Sequence, residues 1–357
     1  MKIGILTYHR AHNYGAILQA IALRFTLESM GHKVYYIDYW PSYHQEAYKQ
    51  FSWNRFRKQK FGYLINRLSF WREIASRISH FEADIHSYIL PFCMPFNSDI
   101  KYDLVIYGSD QIWRKQFATG VVNSVYFGHN NINAAKSITY AASMGELLND
   151  NNTICKIKEL LPKFDAISVR EKDLQDYLYS IGIDTQLVLD PTLLVDRRKW
   201  DSILPVKSTI KPGYVLYYSL NSGAFDECAI KDFAKNHNLR FVEVRGSAGK
   251  DNENSISQCG PFEFLSLIKY ADYVFSTSYH GLIFSIIFQK NFYTSFCSNA
   301  GRAESILKIT GLEDRMLQPM LNKIPDLDAI NYLSVESKLS RMKIFSLSFL
   351  QNSISHE

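Results

Sequence analysis

No stretch of the 357-residue chain comes near about 18 uninterrupted apolar residues, which excludes a membrane-spanning helix on sequence grounds. Cysteine is scarce. Cys93, Cys155, Cys228, Cys259 and Cys297 are scattered singly, with no CxxC pair and no histidine at ligand spacing, so zinc and disulfide frameworks are poor readings. Each cysteine is expected to be a small buried hydrophobe, and no metal is expected. Glycine (17) and proline (10) are too few for collagen-like or low-complexity architectures. GxGxxG, the Walker loop, GxSxG and HExxH are all missing, which speaks against the chemistries those motifs carry. The opening MKIGILTYHR has too short an apolar stretch for a secretory leader and no small-residue cleavage site, so a cytoplasmic location is expected.

What is present is an ordinary globular mix, 46% hydrophobic and 21% charged, in a length that favours two domains. The formal charge, 40 Lys+Arg minus 35 Asp+Glu, is +5. It is unevenly spread. Residues 49–77 carry eight basic side chains (Lys49, Arg55, Arg57, Lys58, Lys60, Arg67, Arg72, Arg77) against Glu73 alone, or +7, so the remainder sums to −2. Tyr48, Phe51, Trp53, Phe56, Phe61, Tyr63, Phe70 and Trp71 are interleaved with them. A uniformly basic nucleic-acid binder is therefore disfavoured. The segment is expected to form one or two amphipathic helices in an insertion over 41–98. Two readings stay open for it: contact with an anionic membrane surface, or helices whose aromatics pack on the N-terminal half while their charges are solvated.

Around the insertion, strand and helix alternate. Residues 2–7 read as a strand, 16–30 as a helix on the stripe Ile17, Ala20, Ile21, Leu23 and Leu27, and 33–39 as a strand, with Gly31 stopping the helix. Further strands at 103–107, 137–142, 166–169 and 186–189 run into polar clusters: Gly108-Ser109-Asp110-Gln111, Ser143-Met144-Gly145, Arg170-Glu171 and Asp190-Pro191-Thr192. After a candidate linker at 207–213, strands are expected at 214–219, 240–244, 273–276 and 291–295. Helices are expected at 224–236, 260–270, 282–289 and 334–352. Such alternation predicts an α/β fold of two units with parallel sheets, whose ligands gather at the carboxyl ends of the strands. The polar clusters fall at those ends.

Residues 273–281 (YVFSTSYHG) place a helix start near Gly281 after a strand, an arrangement that favours an anion, with hydroxyls at Ser276, Thr277 and Ser278. His280 would sit beside that anion and could trade a proton near neutral pH, or be an incidental neighbour of a capping serine. Asp110 could act as a base or as a plain N-cap. Arg170, just past a hydrophobic strand, suits a carboxylate or phosphate, or else pairs with Glu171 or Asp173. Asp190 reads as a structural turn.

Taken in order, GILTYHRAHNYGAILQAIAL, DLVIYGSDQIW, YAASMG, SVREKD, VLDPTLL, ADYVFSTSYHG and GRAESILKITGLEDR resemble the polysaccharide pyruvyltransferase family, from residue 1 to about residue 350. The resemblance implies two Rossmann-like domains facing a cleft, similar to the glycosyltransferase-B architecture. It implies residues 1–206 on the acceptor side, 207–332 on the donor side, and a helix within 333–357 crossing back. It further implies transfer of a pyruvyl group from phosphoenolpyruvate to two sugar hydroxyls, giving a cyclic ketal, with no cofactor. His280 would then be catalytic together with Asp110, and Arg170 would hold donor charge. Many members carry an arginine where this chain has Ser278, so Arg302, then Arg245, would supply the missing cation. Tyr14, Gly15 and Ser143 would face the acceptor, a surface polysaccharide or its lipid-linked precursor, with possible membrane contact through 49–77. A glycosyltransferase using a nucleotide sugar, or a non-enzymatic membrane-surface scaffold, are the alternatives.

Overall fold

The computed structural model describes residues 1–116, 120–148, 150–204, 210–220 and 223–355, the side chains of residues 54 and 58–60 excepted. Residues 207–209 of the candidate linker lie outside the described residues. Strands β1 (Lys2–Leu6), β2 (Lys33–Asp38), β3 (Cys93–Pro95), β4 (Tyr102–Tyr107) and β5 (Ala134–Thr139) form a parallel sheet in the order β3-β2-β1-β4-β5. Ile3 sits opposite both Val34 and Leu104. Parallel bridges Ile138–Ala166 and Ala142–Val169 continue this sheet into the pair β6 (Ser168–Val169) and β7 (Gln186–Leu187). A second parallel sheet holds β8 (Tyr214–Ser219), β9 (Arg240–Arg245), β10 (Ser255–Ile256), β11 (Tyr273–Ser276) and β12 (Asn291–Thr294), in the order β10-β9-β8-β11-β12. Both five-stranded sheets reverse direction beside their first strand, between β1 and β4 and between β8 and β11. That is where a doubly wound sheet opens a crevice. These are two Rossmann-like domains in the glycosyltransferase-B manner.

Helix α1 (Tyr14–Ser29) is buried on nearly every side, because Tyr14, Ala16, Leu18 and Ala22 carry the apolar surface beyond the stripe of Ile17, Ala20, Ile21, Leu23 and Leu27. Its buried amide, Gln19, is fully used: Nε2 donates to Thr7 Oγ1 (3.0 Å) and Ala16 O, and Oε1 accepts from the Ser109 N–H and Oγ. One hydrophobic cluster runs from Ile3, Ile5 and α1 into Tyr214, Leu216 and Phe264 and joins the two sheets, while each sheet has a further cluster of its own, around Val105 and around Phe275.

The insertion forms three helices, α2 (Ser42–Tyr48), α3 (Trp53–Ser69) and α4 (Trp71–Tyr88), and then pairs β3 onto the sheet edge. One or two helices were expected. Ser52, which accepts from the Arg55 N–H as an N-cap, separates α2 from α3. Helix α4 reaches the second half of the chain: Arg77 Nη1 donates to Ser257 O (2.5 Å), and Asp84 accepts from the Phe262 N–H (3.2 Å). Part of the basic charge is thus a tie between the two halves.

Later in the chain come α5 (Asn151–Leu160), α6 (Lys172–Ser180), α7 (Arg197–Ile203), α8 (Glu227–Asn236), α9 (Pro261–Tyr270), α10 (Tyr279–Ile287), α11 (Gly301–Thr310) and α12 (Tyr332–Ser355). The pattern did not announce α5, α7 or α11. Helix α10 starts three residues before the expected position, putting His280 inside the first turn rather than ahead of it. Helix α12 begins on the second sheet's side, where Tyr332 donates to Lys290 O. It ends on the first, where Ser346 Oγ accepts from the Leu189 N–H (2.9 Å). The expectation of buried cysteines is corrected: only Cys259 is buried, Cys93 is intermediate, and Cys155, Cys228 and Cys297 are exposed. Cys155 and Cys228 sit on surface helices and Cys297 follows β12, positions where nothing packs over a thiol. Among the described residues no helix is long and apolar enough to cross a membrane.

Candidate active site

The loops at the carboxyl ends of both sheets converge on one buried polar cluster. Arg170 follows β6, with a side chain shut off from solvent, and its Nη1 donates to Asp190 Oδ2 at 2.6 Å. Its Nη2 lies 3.6 Å from Asp110 and its Nε 3.8 Å from Glu171. From the other half, the first turn of α10 brings His280, whose Nε2 is 3.6 Å from Asp190 Oδ2. The first turn of α11 brings Arg302, 3.9 Å from Glu171. Both guanidinium groups lie over the ring of Tyr279, at 5.1 Å for Arg170 and 5.3 Å for Arg302.

Several polar atoms here are buried without a hydrogen-bond partner among the described residues: Arg170 Nε and Nη2, Glu171 Oε2, His280 Nε2 and Arg302 Nε. Buried polar groups are normally satisfied, and a concentration of spare donors and acceptors like this has the capacity to take up a polar ligand. The electrostatics agree. Burial works against the charge of Arg170, but Asp190 and Glu171 outweigh it and hold the group protonated. Arg302 is held below its ordinary value by burial and then by the repulsion of Arg170, a cost that an anion between the two would relieve. Burial pushes Glu171 up, against the pull of Arg170 and Arg302. Asp190 is held low because His280, Arg170 and the Thr192 hydroxyl outweigh its burial.

Asp190 therefore stabilises the fold above the ordinary carboxylate range, and that contribution is lost as pH falls through its lowered native value. In Asp190→Asn the acid limb of a stability–pH curve, read by urea unfolding, should be shallower than in the parent. At neutral pH the substitution should cost about 3–5 kcal/mol, because it leaves Arg170 without its closest charge partner. An acid limb that keeps its parental slope would contradict this account.

Two cavities open beside the cluster. The larger, of about 850 Å3, lies at the first sheet's strand ends, walled by Tyr8, Tyr43, His44 and Tyr48 with Asp110, Arg55 and Arg114. Burial holds His44 down at about 4 and pushes Tyr43 and Tyr48 to about 12, so at neutral pH these rings are uncharged. A wall of neutral aromatic rings with polar tips suits the mixed apolar and hydroxyl faces of a sugar. The smaller cavity, of about 310 Å3, lies between the halves and is lined by Glu171, Arg302, Met144 and Gly301. Asp110 and Arg170 link the two: Asp110 faces the larger cavity and touches Arg170, which touches Glu171 at the smaller one.

The other sequence-predicted residues fall in different places. Gly15 lies against His280: a Cβ on it would come within 1.9 Å of Nδ1, so only glycine lets the ring sit there. Tyr14 is packed between the halves, stacked on Phe264 (4.3 Å) and donating to Cys259 O. Ser143 is fully buried and donates to Glu171, outside both cavity walls. Ser278 precedes α10, whose N-terminal N–H groups its hydroxyl does not cap. Arg245 stands apart from the cluster, its Nε donating to Ser255 Oγ and lying 3.3 Å from Glu243. The sequence reading passed over Glu171, Asp190 and Tyr279, although SVRE, LDPT and SYHG all stand at strand ends. Tyr43 and His44 carry no motif, and nothing in the sequence marks Tyr8, inside the opening motif, or Tyr48, among the interleaved aromatics, as walls of one cavity.

Among the described residues one arrangement could hold a metal: His9, Asp38 and Cys93 have ligand atoms within 4.8 Å of one another. The sequence hid it because β2–β3 pairing brings Cys93 to Tyr36 from 57 residues away (93 − 36). Its chemistry fits a cation poorly. Arg10 Nη2 already binds Asp38 at 2.7 Å, and burial pushes the Cys93 thiol up to about 12.

A family model described as polysaccharide pyruvyl transferase matches residues 13–294. No curated protein matches the chain. Among solved structures, the chain is similar to the UDP-GlcNAc 2-epimerase of Methanocaldococcus jannaschii (12% identity, 96% of this chain and 93% of that one, TM-score 0.44). The Neisseria meningitidis UDP-GlcNAc 2-epimerase bound to UDP-GlcNAc is comparable (10%, 100% and 95%, 0.44). So is the Escherichia coli heptosyltransferase WaaC with ADP (12%, 96% and 100%, 0.36). Likenesses this loose say nothing of chemistry, and the fold stands on the two sheet orders.

Proposed function

The chain belongs to the polysaccharide pyruvyl transferase family, and on that premise we propose that it moves a pyruvyl group from phosphoenolpyruvate onto two hydroxyls of one sugar. The product is a cyclic ketal on a surface polysaccharide or its lipid-linked precursor. The observation that carries this reading is the pair Arg170 and Arg302, held over one tyrosine ring with N–H donors unspent. Phosphoenolpyruvate offers the matching carboxylate and phosphate.

Transfer starts when the donor's C3 takes a proton, making C2 electrophilic, and a sugar oxygen bonds to C2 as its own proton leaves. The C2–O bond to phosphate then breaks, and the second hydroxyl closes the ring, losing its proton. His280 is assigned the proton exchange at the donor, and Asp110, facing the larger cavity, the hydroxyl protons. Arg170 and Arg302 stabilise charge on the carboxylate and the departing phosphate. In this assignment residues 1–206 present the acceptor, residues 207–332 contribute His280 and Arg302 to the donor, and the terminal helix ties the two.

Phosphoenolpyruvate alone should raise the thermal midpoint, since a ligand at about 100 times its Kd adds about 2.7 kcal/mol to stability. Arg302→Ala should lose that shift. With a lipid-linked oligosaccharide added, inorganic phosphate should appear. No shift and no phosphate, alongside turnover of a nucleotide sugar, would replace this reading with a glycosyltransferase.

A further inference from the structure

Five large apolar side chains are exposed within the insertion: Trp53 (67%), Phe61 (77%), Ile65 (56%), Leu68 (67%) and Trp71 (45%). Four lie on α3, and at about 100° per residue positions 53, 61, 65 and 68 share an arc of about 120°. The exposure does not come from a helix lying loose. Its opposite face has an inside, where Tyr63 is buried with its hydroxyl accepting from the Ser52 N–H (2.8 Å), and where Phe51 packs on Phe56 and Tyr63. An apolar face on a seated helix is an interaction surface.

The charge around it names the partner. Arg57 is exposed on the same face, and Arg72 is exposed beside Trp71. Arg67 flanks the stripe, its guanidinium 5.1 Å from the Tyr63 ring. Glu73 is the one acid among residues 49–77. A second copy of the chain could cover the apolar stripe, but a two-fold contact sets a patch against itself and would bring Arg57 and Arg72 up against their own copies. A bilayer with anionic headgroups satisfies both parts, taking the Trp, Phe, Ile and Leu side chains at the acyl boundary and the arginines among the phosphates.

The position on the molecule points the same way. Ser52 and Arg55, at the start of α3, line the larger cavity, and α2 supplies Tyr43, His44 and Tyr48 to it. A surface that seats α3 therefore lies next to that cavity. We propose that α3 and the start of α4 dock on an anionic lipid bilayer through Trp53, Phe61, Ile65, Leu68 and Trp71, with Arg57 and Arg72 at the headgroups. The docking itself does not depend on the pyruvyl reaction. That it serves a lipid-borne acceptor rests on the function proposed above.

The full chain should co-sediment with phosphatidylcholine vesicles containing phosphatidylglycerol, at least about tenfold more strongly than with phosphatidylcholine alone, and less so as salt rises. Phe61→Ser with Ile65→Ser should lower binding by at least tenfold. Arg57→Glu with Arg72→Glu should lower it by at least about thirtyfold, since about 1 kcal/mol goes with each of the two lost cations and the new carboxylates are repelled as well. The four side chains are exposed, so unchanged circular-dichroism melts should accompany both double variants. No binding to the anionic vesicles, or binding that both double variants leave intact, would overturn the proposal. So would a concentration-dependent dimer that only the Phe61/Ile65 variant abolishes, which would give the face to a second copy. No donor or turnover enters this measurement, so its failure and that of the phosphoenolpyruvate experiment are read separately.

Discussion

His280→Ala is expected to lower pyruvyl transfer by roughly 10²- to 10⁴-fold, the range associated with losing a positioned acid–base group. The thermal transition should remain cooperative, since Asp190 keeps Arg170 and Thr192 as partners when the imidazole is gone. The position of the ring can be tested without touching the ring. Gly15 sits in the first turn of α1, where alanine is the better helix former by up to about 1 kcal/mol. Judged by local preference, Gly15→Ala should stabilise the protein. Its added Cβ would instead fall 1.9 Å from His280 Nδ1 and drive the imidazole away from Asp190. A displacement of about 1 Å at a reacting group can cost about 10²-fold, so kcat should fall by that order with little change in the KM for phosphoenolpyruvate. Full activity in both variants, measured as phosphate release, would remove His280 from the chemistry.

Arg170→Ala should be the most damaging single change to the fold at this site. The side chain is inaccessible to solvent, and its removal strands the fully buried Asp190 carboxylate and takes from Glu171 and Asp110 the cation all three face. Breaking a buried pair by deleting one partner costs about 3–5 kcal/mol, a large share of an ordinary domain's stability. Urea unfolding should show that loss. Arg170→Lys separates the two jobs of the residue. An ammonium can still neutralise Asp190, but it cannot keep the planar fork that reaches Asp190 while offering Nε and Nη2 elsewhere. The lysine variant should recover most of the stability and little of the activity, with a raised KM for phosphoenolpyruvate. If lysine restores both, Arg170 is a structural charge and the donor is held by other groups.

Much of this protein is written locally. A strand's alternation and a helix's stripe depend on neighbours a few residues away, so β1, α1, β8, β11 and the strand-end clusters around Asp110, Arg170 and His280 are legible in the chain itself. Helix α7, which buries only Trp200, is not, since it forms where packing permits rather than where a pattern demands. Helix α11 does carry a stripe, at Ala303, Ile306, Leu307 and Thr310, but it is one short period among polar residues. The start of α10 was misplaced for a related reason. Histidine and glycine are indifferent helix formers, and the turn holding them is fixed by Gly15 opposite and by the Ser276 hydroxyl accepting from the Ser278 N–H.

The ordered strand-end motifs determined by themselves that the fold is α/β and that polar chemistry gathers at the sheet edges. The tertiary structure alone decided which residues meet. Glu171 and Asp190 look like a helix-start acid and a turn aspartate until the second half of the chain delivers Arg302, Tyr279 and His280 to them. It likewise decided what became of the basic segment: Arg77 ties the two halves, Arg55 lines a cavity, and Arg57 and Arg72 remain at the surface. The reason is physical. Local pattern is set by how one element buries its own side chains, whereas a site between two sheets is set by contacts between residues on different elements, such as Asp190 with His280 and Glu171 with Arg302.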